Sequence, residues 1–310
     1  MNILVVPTIR ENCIKPFLGL WQHKFDEVVV IEDNPTKTFA LDIPHHYSWK
    51  EIKDEWGDDS WIISKRDSAI RAWGFWKAYK LNAKIIFTLD DDCLPDDDCF
   101  VNLHLNNLYQ TPKWTNLIPG LRTRGLPYRN FGNLDVVANV GLWTGVPDFD
   151  GANQLINPIN NFYPPVENRV IPHGQYFPFT GMNFCFKREV AILSYFPLMG
   201  DGQPYNRFDD IWFGIIFKKV CDHLNYYITA GRPFVKHEKA SDPFVNLIKE
   251  APGIKMNETF WEYIEKINLK SQQPHECMLE ICTALYQEKD PYLKKLGQAI
   301  SIWAQRFYIP

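Results

Sequence analysis

Residues 84–92, Lys-Ile-Ile-Phe-Thr-Leu-Asp-Asp-Asp, drive an apolar, β-prone stretch directly into three consecutive carboxylates, Asp90, Asp91 and Asp92. A buried strand that ends this way sets like charges a few ångströms apart. They stay ionised only if a cation or an ordered set of donors offsets their repulsion. The outer pair, Asp90 and Asp92, forms an open D-x-D set of hard oxygens. Such a set suits Mg²⁺ or Mn²⁺, which takes one or two carboxylates and completes its shell with water and substrate phosphates. The plainer alternative is a solvated acidic turn, the role expected for Asp96, Asp97 and Asp98 just downstream.

Strands alternate with helical stretches over the first third of the chain. Asn2–Pro7 and Val28–Glu32 read as strands. Residues Ser68–Lys80 carry apolar side chains at helical spacing (Ala69, Ala72, Trp73, Trp76, Tyr79), and Ile85–Leu89 follows as another strand. That alternation predicts an α/β protein with a Rossmann-like parallel sheet, whose ligands gather at the carboxyl ends of the strands. Pro7, Asp33 and Asp90–Asp92 each close one strand, so the three ends predict one crevice. Residues 119–178 are rich in Pro, Gly and Asn and read as long loops with short strands. From Asn257, a candidate N-cap, the pattern turns helical, ending in a helix with Leu293, Leu296, Ile300, Trp303 and Phe307. The expected division is a catalytic domain over residues 1–250 and a helical extension over 251–310 packed on it.

A net charge of −4 gives no reason to expect a nucleic-acid partner. The seven cysteines form no C-x-x-C pair, which argues against a zinc site or a disulfide framework. Residues 1–10 lack the features of a signal peptide, and no apolar run approaches the roughly 18 residues of a membrane span. These features predict a cytoplasmic protein. Neither a phosphate-binding G-x-x-x-x-G-K-[ST] loop nor a G-x-G-x-x-G turn after the first strand occurs, so no flavin or nicotinamide is expected.

Cations surround the acidic cluster in sequence. Arg10 follows the first strand, and Lys65, Arg66 and Arg71 precede the acidic one. Guanidinium groups bind phosphate oxygens in bidentate fashion, so these residues are candidates for a diphosphate. Asp33 is placed to accept from a base or ribose. Asp209 and Asp210 open an apolar helix, where one acid can serve as base or electrostatic partner and the other as helix cap. His237 is a candidate third ligand for a metal held by Asp90 and Asp92.

With these residues in view, the chain resembles the reversibly glycosylated polypeptides, the family that includes the plant UDP-arabinopyranose mutases. The likeness runs through Val6-Pro7-Thr8-Ile9-Arg10, Asp67-Ser68-Ala69 with Arg71, Leu89-Asp90-Asp91-Asp92-Cys93 and Gly141-Leu142-Trp143 with Pro147-Asp148. It continues through Gly181-Met182-Asn183, Leu198–Pro204, Asp209-Asp210 with Trp212, Cys221-Asp222-His223, and His237 with Lys239-Ala240-Ser241 and Pro243–Leu247. The resemblance implies a GT-A glycosyltransferase-like fold, dependence on Mn²⁺ or Mg²⁺, and interconversion of the pyranose and furanose forms of UDP-arabinose. It places Pro7, Thr8, Arg10, Asp33, Arg66, Asp67, Arg71, Asp91 and Asn183 at the nucleotide-sugar site. It also implies a reversibly glycosylated arginine, best matched by Arg124 in Arg124-Gly125-Leu126-Pro127-Tyr128. Arg129 lies nearer to Arg124 than the family's second arginine would. Two other readings stay open: a transferase that passes the sugar to a separate acceptor, and a non-catalytic UDP-sugar-binding subunit. A homo-oligomer is compatible with the aromatic C-terminal helix.

Overall fold

The computed structural model describes residues 1–118, 121–129, 132–164, 168–238 and 241–307. Nine strands form one mixed sheet among them: β1 Asn2–Thr8, β2 Glu27–Glu32, β3 His45–Tyr47, β4 Ile85–Leu89, β5 Cys93–Pro95, β6 Val136–Gly145, β7 Arg169–Val170, β8 Asn183–Lys187 and β9 Tyr227–His237. The helices are α1 Glu11–Trp21, α2 Trp49–Trp56, α3 Arg71–Lys80, α4 Phe100–Gln110, α5 Gly151–Ile156, α6 Asp209–His223, α7 Pro243–Glu265, α8 Pro274–Gln287 and α9 Pro291–Phe307. Strand order is β3-β2-β1-β4-β8-β6-β9-β5, with β7 beside β9. The first four strands in that order are parallel, as their alternation with helices predicts; β8 then runs antiparallel to both β4 and β6. The architecture is mixed α/β, consistent with a GT-A-like, Rossmann-type sheet carrying a helical extension.

Alternate side chains of β1 enter two different cores. Ile3 and Val5 join Val29, Ile31 and Ile86 on one face, where α3 covers them. Leu4 and Val6 join Val28, Val30, Ile85 and Phe87 on the other, beneath Ile14, Phe17 and Trp21 of α1. Strands buried on both faces read as continuous apolar runs, which is why these segments were legible. Gly74 lets α3 approach closely, since a Cβ there would stand 2.4 Å from Val5 Cγ1.

Helix α7 runs through residues 250 and 251. Asn257 lies inside this helix rather than capping one, and its Oδ1 accepts from Trp212 Nε1 at 2.9 Å. The helical segment after it is an integral layer: Phe260, Leu293, Trp303 and Phe307 belong to the same core as β1 and α3. The aromatic residues of α9 therefore pack internally. In the segment expected to be loops, β6 is a ten-residue strand at the middle of the sheet.

Candidate active site

Strands β2, β1 and β4 end side by side, and the chain leaves β1 towards β2 on one side and β4 on the other. Such a switch point opens a crevice. A cavity of about 400 Å³ lies there, and eleven of the expected site residues border it: Pro7, Thr8, Arg10, Asp33, Arg66, Asp67, Arg71, Asp90, Asp91, Asp92 and His237. A larger cleft of about 970 Å³ near Lys84, Tyr109 and Arg188 lies at the opposite ends of the strands and has no such cluster of acids.

The three consecutive aspartates have separate partners. Asp91 is buried, accepting from Thr8 Oγ1 at 2.5 Å and from the Nε and Nη2 of Arg10, so it ties the end of β4 to the end of β1. Asp90 accepts from Arg71 Nη2 at 2.5 Å. Asp92 accepts from Arg10 Nη2 at 3.2 Å. Burial would raise Asp90, but the Arg71 ion pair and hydrogen bond, with His237 and Arg10 nearby, hold its pKa below the usual carboxylate value. Burial and the neighbouring Asp90 charge push Asp92 above that value.

Arg71 and Arg10 are therefore spent on carboxylates rather than held ready for phosphate. Arg71 is only 2% exposed; its remaining contacts run from Nε to the Ser68 carbonyl and from Nη1 to Thr88 Oγ1 and the Gly181 carbonyl. A guanidinium pinned by four protein acceptors fixes Asp90 in place and is barred from moving to a ligand.

His237 donates through Nδ1 to the Val146 carbonyl at 2.8 Å, since a carbonyl can only accept. In the neutral ring this leaves the Nε2 lone pair free, the orientation that outer-shell carbonyls impose on metal-binding imidazoles. Among the described residues, no three His, Cys, Asp or Glu side chains converge tightly enough to hold a metal unaided. Asp90, Asp92 and His237 line the same cavity.

Beside β2, Asp33 Oδ1 accepts from Trp49 Nε1 at 2.7 Å and Oδ2 from the Asp67 backbone at 2.9 Å. The Arg66 guanidinium lies 5.2 Å from the Trp49 ring centre and donates to the Asp33 carbonyl and to Asn34 Oδ1. An indole, a carboxylate and a guanidinium gathered at one strand end form a polar, partly aromatic wall. Trp49 is a sequence-silent member of that wall, because its helix looks like any amphipathic one.

Asp67 receives the Ala69 N–H at Oδ1 and the Arg207 N–H at Oδ2. Burial, and then the charge of Asp209, push its pKa up to about 8. The folded state thus keeps a proton that the unfolded chain releases near pH 4. With more protons bound in the folded form, stability falls as pH rises from about 4 to 8. Thermal unfolding at pH 5, 6.5 and 8 should show this decline in the wild type and a shallower one in Asp67→Asn; parallel declines would contradict it.

Five expected residues lie elsewhere. Asp209 is buried behind the crevice, accepting from Ser68 Oγ at 2.8 Å, while Asp210 accepts from the Gly181 and Ile211 N–H groups, both at 2.8 Å. Neither borders the cavity. Burial raises both, Asp210 the more strongly. Arg124 and Arg129 are exposed in the connection between α4 and β6 and are not lining residues. That connection is pinned where the Leu134 N–H meets the Thr111 carbonyl, at the sheet end opposite the crevice. Asn183, expected at the nucleotide-sugar site, is corrected to an internal role. It is fully buried, with Nδ2 donating to the Leu142 and Pro233 carbonyls and Oδ1 paired with His104 Nε2 at 3.0 Å. Lys239 and Ala240 of the family-like segment lie outside the described residues. The sequence reading missed Gln154, Asn206, Arg207, Ser241 and Lys249 as crevice-lining residues, and gave no site role to Asp148.

The family profile described as "Reversibly glycosylated polypeptide" matches residues 2–308. This chain is 34% identical to "UDP-arabinopyranose mutase 1" of Arabidopsis thaliana, over 97% of this chain and 90% of that one. It is 33% identical to "Probable UDP-arabinopyranose mutase 1" of Pisum sativum, over 97% and 89%. The same identity and coverage hold for "UDP-arabinopyranose mutase 3" of Arabidopsis thaliana.

Proposed function

Because this chain belongs to the reversibly glycosylated polypeptide family, we propose that it is a UDP-sugar mutase that interconverts the pyranose and furanose forms of UDP-arabinose. The observation that carries the reading is the meeting of the D-x-D carboxylates, His237, Asp33 and Arg66 in one crevice at the sheet's switch point, with Trp49 donating to Asp33. Reversible cleavage between the anomeric carbon and the β-phosphate places negative charge on departing UDP. A divalent ion held by Asp90, Asp92 and His237 would supply the charge that stabilises it there.

The protein's own groups have distinct tasks. Arg71 and Arg10 keep the aspartates apart and oriented. Asp33, Trp49 and Arg66 hold the nucleoside end, and Arg66 can stay where it is while a base or ribose meets its wall. Burial and the Asp209 charge raise the Asp67 pKa, and Asp67 borders the cavity, so it is placed to donate to a ring oxygen or departing oxygen and take the proton back. Asp209 acts on it through charge.

Incubation of the protein with Mn²⁺ and UDP-arabinopyranose, with no acceptor added, should yield UDP-arabinofuranose. Net transfer only on addition of an acceptor would favour a transferase, and binding without turnover a non-catalytic subunit. A guanidinium is a poor nucleophile, and Arg124 is not among the crevice-lining residues. Arg124→Ala is expected to keep UDP affinity within about twofold, because no crevice contact is lost, with the mutase rate reporting separately on the glycosyl-arginine. A large loss of UDP affinity, measured by titration calorimetry, would place this side chain in the nucleotide site instead.

A further inference from the structure

Among the non-glycine residues described, four adopt positive φ, and two of them are arginines that border the crevice: Arg66 at 59° and Arg207 at 66°. The other two, Asn82 and Asn225, are of a type that tolerates this conformation. A left-handed arginine is a strained choice, and strain of this kind concentrates at ligand sites. Both arginines are fastened around Asp67: Arg66 precedes it, and the Arg207 N–H donates to its Oδ2.

The crevice arginines differ in what their terminal nitrogens do. Arg10 and Arg71 face carboxylates, and Arg66 faces the Asp33 carbonyl and Asn34. Arg207 is anchored through Nε to Glu250 Oε1 at 3.1 Å, and Glu250 is in turn fixed by the Gly151 N–H at 2.7 Å. No described residue accepts a hydrogen bond from Nη1 or Nη2 of Arg207. One edge of this guanidinium is clamped by a buried acid while the other is left open at the cavity wall. That leaves Arg207 the crevice arginine equipped to meet an anion.

We propose that Arg207 binds the sugar-bearing phosphate of the nucleotide diphosphate. The position follows from a chain of hydrogen bonds that starts at the nucleoside wall: Asp33 accepts from the Asp67 backbone, and Asp67 accepts from the Arg207 backbone. Arg207 is thus linked to Asp33 through Asp67, and all three line one cavity, so a nucleotide whose nucleoside end meets Asp33 has Arg207 available to its phosphates. Lys249, one residue before the clamping Glu250, adds a second cation to the same wall. The assignment rests on the nucleotide-diphosphate reading above.

Calorimetric titration with UDP and with UMP, at one Mn²⁺ concentration, separates the two ideas because UMP lacks the far phosphate. Arg207→Gln should weaken UDP by about 10- to 100-fold, the worth of charge-assisted hydrogen bonds, and change UMP by less than about twofold. Arg207→Lys keeps a cation opposite Glu250 and so preserves the fold, and should weaken UDP selectively but less. Unchanged UDP affinity, or equal weakening of UDP and UMP, in the lysine variant overturns the assignment while the nucleotide site stands. Wild-type protein that binds neither nucleotide overturns both.

Discussion

Asp92→Asn is expected to slow interconversion of UDP-arabinopyranose and UDP-arabinofuranose by about a hundredfold or more. A cation that stabilises a departing phosphate is worth several kcal/mol, and each 1.4 kcal/mol is about a factor of ten in rate. The fold should not suffer. Asp92 gives up a contact with Arg10 at 3.2 Å, but Arg10 keeps its closer pairing with Asp91, and a neutral amide ends the repulsion from Asp90. The thermal midpoint should therefore be equal or higher. Turnover assayed across a Mn²⁺ series, alongside thermal unfolding, distinguishes this from collapse of the site: full activity in the variant, or a low midpoint, would be the contrary result.

Arg71→Met acts on stability. Removing one partner of a buried ion pair costs about 3 to 5 kcal/mol, because a charge is left behind without its counter-ion. The Asp90 side chain keeps 34% exposure, so water recovers part of that and the low end, about 3 kcal/mol, is expected. The Gly181 and Ser68 carbonyls and Thr88 Oγ1 lose a donor in the same step. Urea unfolding measures the difference directly. Arg10→Met is the internal comparison, since the Arg10 side chain is 32% exposed and its loss should cost clearly less.

The parts of this protein that were legible in sequence are those whose signal is local. An apolar strand running into carboxylates lies within nine residues, and the parallel half of the sheet followed from the alternation of strand and helix. His237 drew weight from the family-like segment it opens, since a lone histidine carries little signal of its own. What the sequence concealed depends on partners far away along the chain. Arg71 has the look of a phosphate ligand, yet its burial beneath Gly181, 110 residues later, commits it to Asp90. Asn183 lies in a family-like segment at the start of β8, but two carbonyls and His104 consume its amide. Asn257 has the character of an N-cap until Trp212 claims it. Arg207 carries its signal in a backbone angle and in Glu250, neither of which a one-dimensional pattern encodes. The antiparallel insertion of β8 between β4 and β6 escaped notice for the same reason, because register across strands separated by about a hundred residues leaves no periodic trace.

The account stands on a divalent ion and a nucleotide diphosphate sharing the crevice at the ends of β1, β2 and β4. Crystals grown with UDP and Mn²⁺, with data collected at the manganese edge, test this most directly. The expected result is an anomalous peak bordered by Asp90, Asp92 and His237, with the base of UDP against Trp49 and its phosphates towards Arg207. Manganese and UDP bound at any other part of the surface, with the crevice holding neither, would contradict it.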